Sequence, residues 1–356
     1  MVKSMYAGVS GLRAHQQKMD VIGNNIANVN TFGFKTASYA FRDAVYQTIT
    51  GSSGGTTGVG GLGGVNASQV GYGAGAGSIT ASFVAGGKSS TGLGMDCVID
   101  GTGFFIVGPR LADASMVRLG DPLAGSGLSL SRVGMLTTDN EGYLTDADGN
   151  YVYGIQSGTN IINNAAGQPE TYIDGIRDAN ANGKIDIGEY VTKTNTSADA
   201  NNDGKISDAE MANVATKLTP IRVPTYVADP AYPDKTAYSL QNYKINNDGT
   251  VVGVDKDTKK AVVIGQIALA AVDNPNGLEK TTGYYYGIGD NAGSVTAGRP
   301  NGGSVGSIES GFLELSNVDL AKEFAEMITT QRGFQANSKI ITVSDEMLEQ
   351  LVNMKR

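Results

Sequence analysis

The chain has one cysteine, Cys97, and one histidine, His15, in 356 residues. A single thiol excludes an intrachain disulfide. A single imidazole excludes a zinc site or a Ser-His-Asp arrangement assembled from neighbouring residues. No apolar run is long enough to span a bilayer, so membrane insertion is not expected. The first thirty residues carry neither an apolar core nor a small-residue cleavage site, so any export is expected to proceed without a cleaved leader. Clustered Lys and Arg are missing too. The net charge is −8, which disfavours nucleic acid as a partner and is compatible with divalent cations. The Gly-rich residues 54–64 lack the Gly-Lys-Ser/Thr ending of a phosphate loop. Cys97 sits in an apolar strand pattern and reads as core rather than nucleophile; His15 reads as a helix-surface or interface residue. No catalytic arrangement emerges, and the chain is expected not to be an enzyme.

Glycine is plentiful. Its 50 residues are roughly twice the average share, and they keep no three-residue period, so the excess points to turns and strand bends rather than collagen. The two ends depart from this texture. Met5, Leu12, Met19 and Ile26 fall seven apart, with Ile22 and Val29 on a second row. Together they form one apolar stripe on a helix, which Asn28, Asn30 and Gly33 stop. Leu320, Met327, Phe334, Ile341 and Leu348 repeat the device, beside a partly polar row of Phe324, Gln331 and Val352. Ser316 with Asp319 is expected to supply the N-cap and an acidic first turn, opening a helix over about residues 317–353 roughly 55 Å long. Each amphipathic helix needs a cover for its stripe. The two ends either form a simple hairpin within the chain, or pair and then pack against neighbouring copies.

Between the ends the pattern is β. The expected class is multidomain α+β: long terminal helices paired as a coiled coil (residues 1–31 with 314–356), a Gly/Ser-rich connecting segment (32–70), a discontinuous all-β core (71–153 with 242–313) and an inserted outer domain (154–241). Residues 97–99 and 104–107 read as strands, and residues 264–272 as a strong one. Asp100-Gly101, Glu141-Gly142, Asp148-Gly149 and Asp248-Gly249 read as hairpin-type turns.

The insertion carries two twelve-residue loops, 21 residues apart, that match the EF-hand calcium loop at positions 1, 3, 5, 6, 9 and 12. In the first, Asp178, Asn180, Asn182, Asp186 and Glu189 supply side-chain oxygens, and Lys184 a backbone carbonyl. In the second, Asp199, Asn201, Asp203, Ser207 and Glu210 do so, with the carbonyl of Lys205. Alternate short side chains aim oxygens at one centre, Gly183 and Gly204 permit the sharp turn, and the closing glutamates bind bidentately. Ile185 and Ile206 are placed to pair the loops. Two structural Ca²⁺ sites are expected, ordering a weakly hydrophobic segment. The short spacing resembles dockerin-type repeats more than a calcium sensor.

The terminal segments resemble a known family. Met5-Tyr6-Ala7-Gly8-Val9-Ser10-Gly11-Leu12, followed by Asn24-Asn25-Ile26-Ala27-Asn28-Val29-Asn30-Thr31-Phe32-Gly33-Phe34-Lys35, is similar to the N-terminal signature of bacterial flagellar rod and hook axial proteins. Ser316-Asn317-Val318-Asp319-Leu320-Ala321-Lys322-Glu323-Phe324 and the run from Met327 to Lys339 resemble the same group. Phe334-Gln335-Ala336-Asn337 and Asp345-Glu346-Met347-Leu348 resemble its hook branch, as do Asp100-Gly101-Thr102-Gly103-Phe104-Phe105 and Gly265-Gln266-Ile267-Ala268-Leu269-Ala270. The resemblance covers about residues 1–153 and 240–356. It implies a homopolymer: a curved tube joining rod to filament, with terminal helices lining it and the inserted domain outside. Implied partners are rod, hook-cap and hook–filament junction proteins and the flagellar type III export apparatus, and the implied location is the flagellum outside the cell. A distal rod protein and a secreted calcium-dependent binding module are the alternatives. The calcium loops depart from the family's usual outer domain.

Overall fold

The computed structural model describes residues 2–55, 63–111, 117–140, 142–156, 160–163, 169–173, 176–177, 218–223, 226–227, 238–255, 259, 261–303 and 305–354. The chain is mostly β, with one long helix near each end. It divides into two units, residues 1–84 with 316–356 and residues 85–315.

The first unit holds helix α1 (Val2–Ala27), helix α2 (Leu320–Asn353) and a long two-stranded ribbon. α1 ends at a turn in which the Asn28 side chain donates to the Asn24 carbonyl and accepts from the Thr31 hydroxyl. Gly33 follows at φ 66°, a left-handed conformation that a Cβ would disfavour. α2 starts later than expected. Its N-cap is Asp319, whose carboxylate accepts from the backbone N–H groups of Ala321 and Lys322, so Ser316 lies outside the helix. A carboxylate meets the exposed first-turn donors and the positive helix end better than a hydroxyl three residues earlier.

Residues 32–70 are more than a connecting segment. Ala37–Asp43 pairs with Ala74–Ala81, and Tyr46–Thr50 pairs with Ser68–Gly71, both antiparallel. The unit therefore takes in residues 71–84, which the sequence pattern assigns to the β core. Side chains tie the ribbon down where it begins. The Asn25 amide donates to the Ala37 carbonyl and accepts from the Ala37 N–H. Asn317 accepts from Thr36 N–H and donates to the carbonyls of Ser82 and Val84, and the Lys35 ammonium also donates to the Val84 carbonyl. The ribbon's base is thus a folded corner, the Asn25 and Asn317 amides doing for the backbone what a third strand would.

The second unit is an antiparallel sheet system built from discontinuous segments. Phe104–Gly108 pairs with Ser129–Ser131, with Tyr151–Gln156 and with Leu269–Val272. Tyr151–Gln156 pairs with Ala261–Ile267, and Cys97–Asp100 with Ser307–Ser310. The core is formed by Cys97, Ile99, Phe105, Val107, Leu144, Val152, Ile221, Ile245, Val251, Ile267 and Leu269 among others. Cys97 is fully buried, and burial pushes its thiol pKa up.

Several local expectations change in this context. Asp148-Gly149 and Asp248-Gly249 do join paired strands, and Asp248 fixes its turn by accepting from the Thr250 N–H and hydroxyl, which lower its pKa. Asp100-Gly101 does not: the strands on either side of it, Cys97–Asp100 and Phe104–Gly108, go to different partners, so it is a corner between sheets. The apolar run 264–272 breaks at Ala268 into Ala261–Ile267 and Leu269–Val272, which have different partners. The expected insertion is shorter than 154–241, because Leu218, Ile221 and Val223 are buried and Thr219–Pro220 pairs with Tyr151–Gln156. All twelve expected calcium ligands, Asp178, Asn180, Asn182, Lys184, Asp186, Glu189, Asp199, Asn201, Asp203, Lys205, Ser207 and Glu210, lie outside the described residues.

Candidate assembly surface

α1 and α2 run antiparallel, and their closest contacts are made mainly by small and polar residues, with Ile341 of the apolar row entering against Gly8. A Cβ on Gly8 would lie 3.1 Å from Ile341 Cγ1, one on Gly11 2.8 Å from Asn337 Nδ2, and one on Gly333 2.6 Å from His15 Cε1. Further along, Lys18 Nζ is 3.1 Å from Glu326 Oε2, and Asn25 Nδ2 donates to Glu323 Oε1 at 3.2 Å. On α2 the row Glu323, Thr330, Asn337, Ser344 faces the partner, with three of the four buried. Three glycines let the helices approach closely, and that approach favours short or polar side chains between them.

The apolar rows are consequently left on the flanks. Met5, Leu12, Met19 and Ile26 on α1 and Met327, Phe334, Ile341 and Leu348 on α2 are half-buried, and Leu320 is exposed. Ile22 alone of the expected stripe is fully buried. Among the described residues, every exposed large apolar side chain except Leu93, Phe312 and Leu315 belongs to the first unit. They include Tyr6 and Val9 on α1, Phe324, Ile328, Ile340, Val343, Met347 and Leu351 on α2, and Val45, Tyr46, Ile49 and Ile79 on the ribbon. A unit that leaves this much apolar surface in water is built to be covered.

His15 is an interface residue within the chain. Its ring packs against Gly333 and meets Phe41 at 5.2 Å between centroids, the two rings tilted by 59°. Its Nδ1 is buried with no hydrogen-bond partner. Burial, and then the Lys18 charge, lower its pKa, so the neutral imidazole is the form this packing holds.

Nothing in the residue pattern marks Arg132, a heavily engaged side chain of the second unit. Buried beside Phe104, it donates from Nε to Glu314 Oε2 at 3.0 Å, from Nη1 to the Gly103 carbonyl at 2.6 Å and from Nη2 to the Gly101 carbonyl at 2.9 Å. Glu314 in turn accepts from the Gly86 N–H. Gly101 and Gly103 have φ of 109° and 124°, so the Asp100-Gly101-Thr102-Gly103 corner serves to turn two carbonyls onto one guanidinium. Among the described residues there is no cluster of three or more His, Cys, Asp or Glu that could hold a metal ion, and no helix long and apolar enough to cross a membrane.

Comparison with known proteins places matches at both ends. A family model described as Flagella basal body rod protein matches residues 5–35, and one described as Flagellar basal body rod FlgEFG protein C-terminal matches residues 309–354. The flagellar basal-body rod protein FlgG of Bacillus subtilis is 34% identical over 358 residues, covering 100% of both chains. The flagellar hook protein FlgE of Borreliella burgdorferi is 30% identical over 445 residues, again covering 100% of both, and FlgE of Escherichia coli is 28% identical, covering 98% of both. The crystal structure of Helicobacter pylori flagellar hook protein FlgE2 aligns with 64% of this chain and 100% of its own, at 11% identity and a TM-score of 0.36.

Proposed function

The chain belongs to the flagellar rod and hook protein family, and from that premise we propose that it is the subunit of the flagellar hook, a structural protein that polymerises into the curved tube between rod and filament. The observation that carries the assembly reading is the distribution of exposed apolar side chains. They gather on the terminal helices and the ribbon, where the family signatures also lie. Burying that surface against further copies supplies the driving force for a polymer. Rod, cap and junction proteins are the expected partners at the ends of the tube, with delivery through the flagellar export apparatus to the outside of the cell.

Electron microscopy of basal bodies from a strain lacking this gene tests the assignment. Complete rods without a curved extension are expected. Intact hooks would overturn it. Truncated rods would favour the second reading, a distal rod subunit, which is supported by the 34% identity to a protein named as the rod protein FlgG over an alignment of 358 residues.

The two EF-hand-like loops are proposed as structural calcium sites on the strength of their spacing and ligand chemistry. Native mass spectrometry of the full chain is expected to find two Ca²⁺, and Glu189→Gln or Glu210→Gln to remove one each. A chain that takes up no Ca²⁺ at millimolar concentration would sink this proposal and leave the hook reading intact.

A further inference from the structure

A groove runs along the first unit between α1 and the Ala74–Ala81 strand. Tyr6, Val9, Arg13 and Gln17, one face of α1, form one wall, and Tyr72 with Ala76 forms the other. Its volume is about 630 Å³, room for several side chains. The small residues Ala74 and Gly75 let an approaching element settle close to the strand. The groove lies on the side of α1 away from α2, since α2 is met through Gly8, Gly11 and His15. The chain's own α2 therefore does not fill it.

The C-terminal turns of α2 present the matching surface. Met347, Leu351 and Met354 are exposed, at 45%, 46% and 79%, and their i, i+4, i+7 spacing puts them on one helical face. The register that sets Gly8 against Ile341 leaves Leu351 and Met354 beyond the N-terminal end of α1. Charge fits as well. The groove lining carries Arg13, with Lys3 Nζ 5.7 Å from the Tyr72 ring, whereas the turn of α2 at residues 345–349 carries Asp345, Glu346 and Glu349, ahead of Lys355 and Arg356; Glu346 borders the apolar face. An apolar helix face laid into an apolar groove, with a charge pair at the rim, is a recurrent recognition mode.

We propose that the groove of one copy receives the C-terminal turns of α2 from a second copy, Arg13 facing Glu346. This rests on the axial-polymer reading above and names the contact that propagates it. Groove and helix end are different surfaces of the subunit, so the contact is heterologous, passing from copy to copy without closing on a pair.

Cysteine cross-linking in assembled full-length chains tests it, because Cys97 is buried. Under mild oxidation, Val9→Cys with Leu351→Cys is expected to give a ladder of covalent multimers, and Val9→Cys with Phe324→Cys none. Tubes that form without the first ladder, or with equal ladders from both pairs, overturn the contact and leave assembly standing. A parent chain that forms no tubes overturns the polymer reading itself. A charge exchange gives an independent readout. Arg13→Glu is expected to raise the concentration needed for assembly about tenfold, and adding Glu346→Arg to restore it. Two single variants that each impair assembly with no recovery in the double variant, all three folded by circular dichroism, would also refute the pairing.

Discussion

Gly333→Leu is expected to separate the terminal helices and abolish assembly. A bare Cβ at this position already falls 2.6 Å from Cε1 and 2.7 Å from Nε2 of His15, and Phe41, packed at a tilt 5.2 Å away between centroids, opposes displacement of the ring. Two effects oppose each other. Replacing a helical glycine gains about 1 kcal/mol of intrinsic propensity, but overpacking costs roughly 1–3 kcal/mol, and leucine adds three carbons beyond the clash. The second effect wins here, since the helices are held by close approach rather than by a thick apolar seam. The control is Gly333→Leu with His15→Ala, which removes the obstruction and should recover most of the helix signal lost in the single variant, measured by thermal melting at 222 nm. Equal melting of Gly333→Leu and the parent chain would show that this approach does not hold the pair. A neutral His15 alanine variant on its own would not contradict the argument, because the unpartnered Nδ1 makes the native imidazole an imperfect occupant.

Arg132→Met is expected to destabilise the second unit by about 3–5 kcal/mol, the range for breaking a buried ion pair from one side. Arg132 and Glu314 side chains are 4% and 1% exposed, so losing the guanidinium strands a buried carboxylate and orphans the carbonyls of Gly101 and Gly103. Converting both partners, Arg132→Met with Glu314→Gln, is expected to cost less than the single change, because no charge is then left in the interior. Urea unfolding followed by tyrosine fluorescence reads both. A double variant at least as damaged as Arg132→Met would mean that the carbonyl contacts, not the charge pair, carry the stabilisation.

Local chemistry was legible in the sequence wherever a few neighbouring residues decide the outcome. The seven-residue rows gave both helices, Asn28 and Gly33 marked the end of the first, and the Asp-Gly pairs gave positive φ at Gly101, Gly149 and Gly249. Buried strands at 97–100 and 104–108 could be read from their unbroken apolar character. The family signatures were also plain, though their physical meaning was not: Asn25, Lys35 and Asn317 proved to be backbone anchors of the ribbon. The calcium ligands stand on spacing and donor chemistry alone.

Sequence by itself therefore determined the helices, the turn positions and the apolar or polar character of each segment, because these follow from steric limits and hydrogen bonding within a few residues. Tertiary structure decided which faces meet. Periodicity shows that a helix has an apolar face, yet it cannot say that the glycine and asparagine face will be chosen for the closest contact and much of the apolar face left exposed. Nor can it join Arg132 to Glu314, 182 residues away. Such choices depend on how near two backbones can come and on which buried charges and carbonyls remain to be satisfied, and those quantities exist only once the chain has closed on itself.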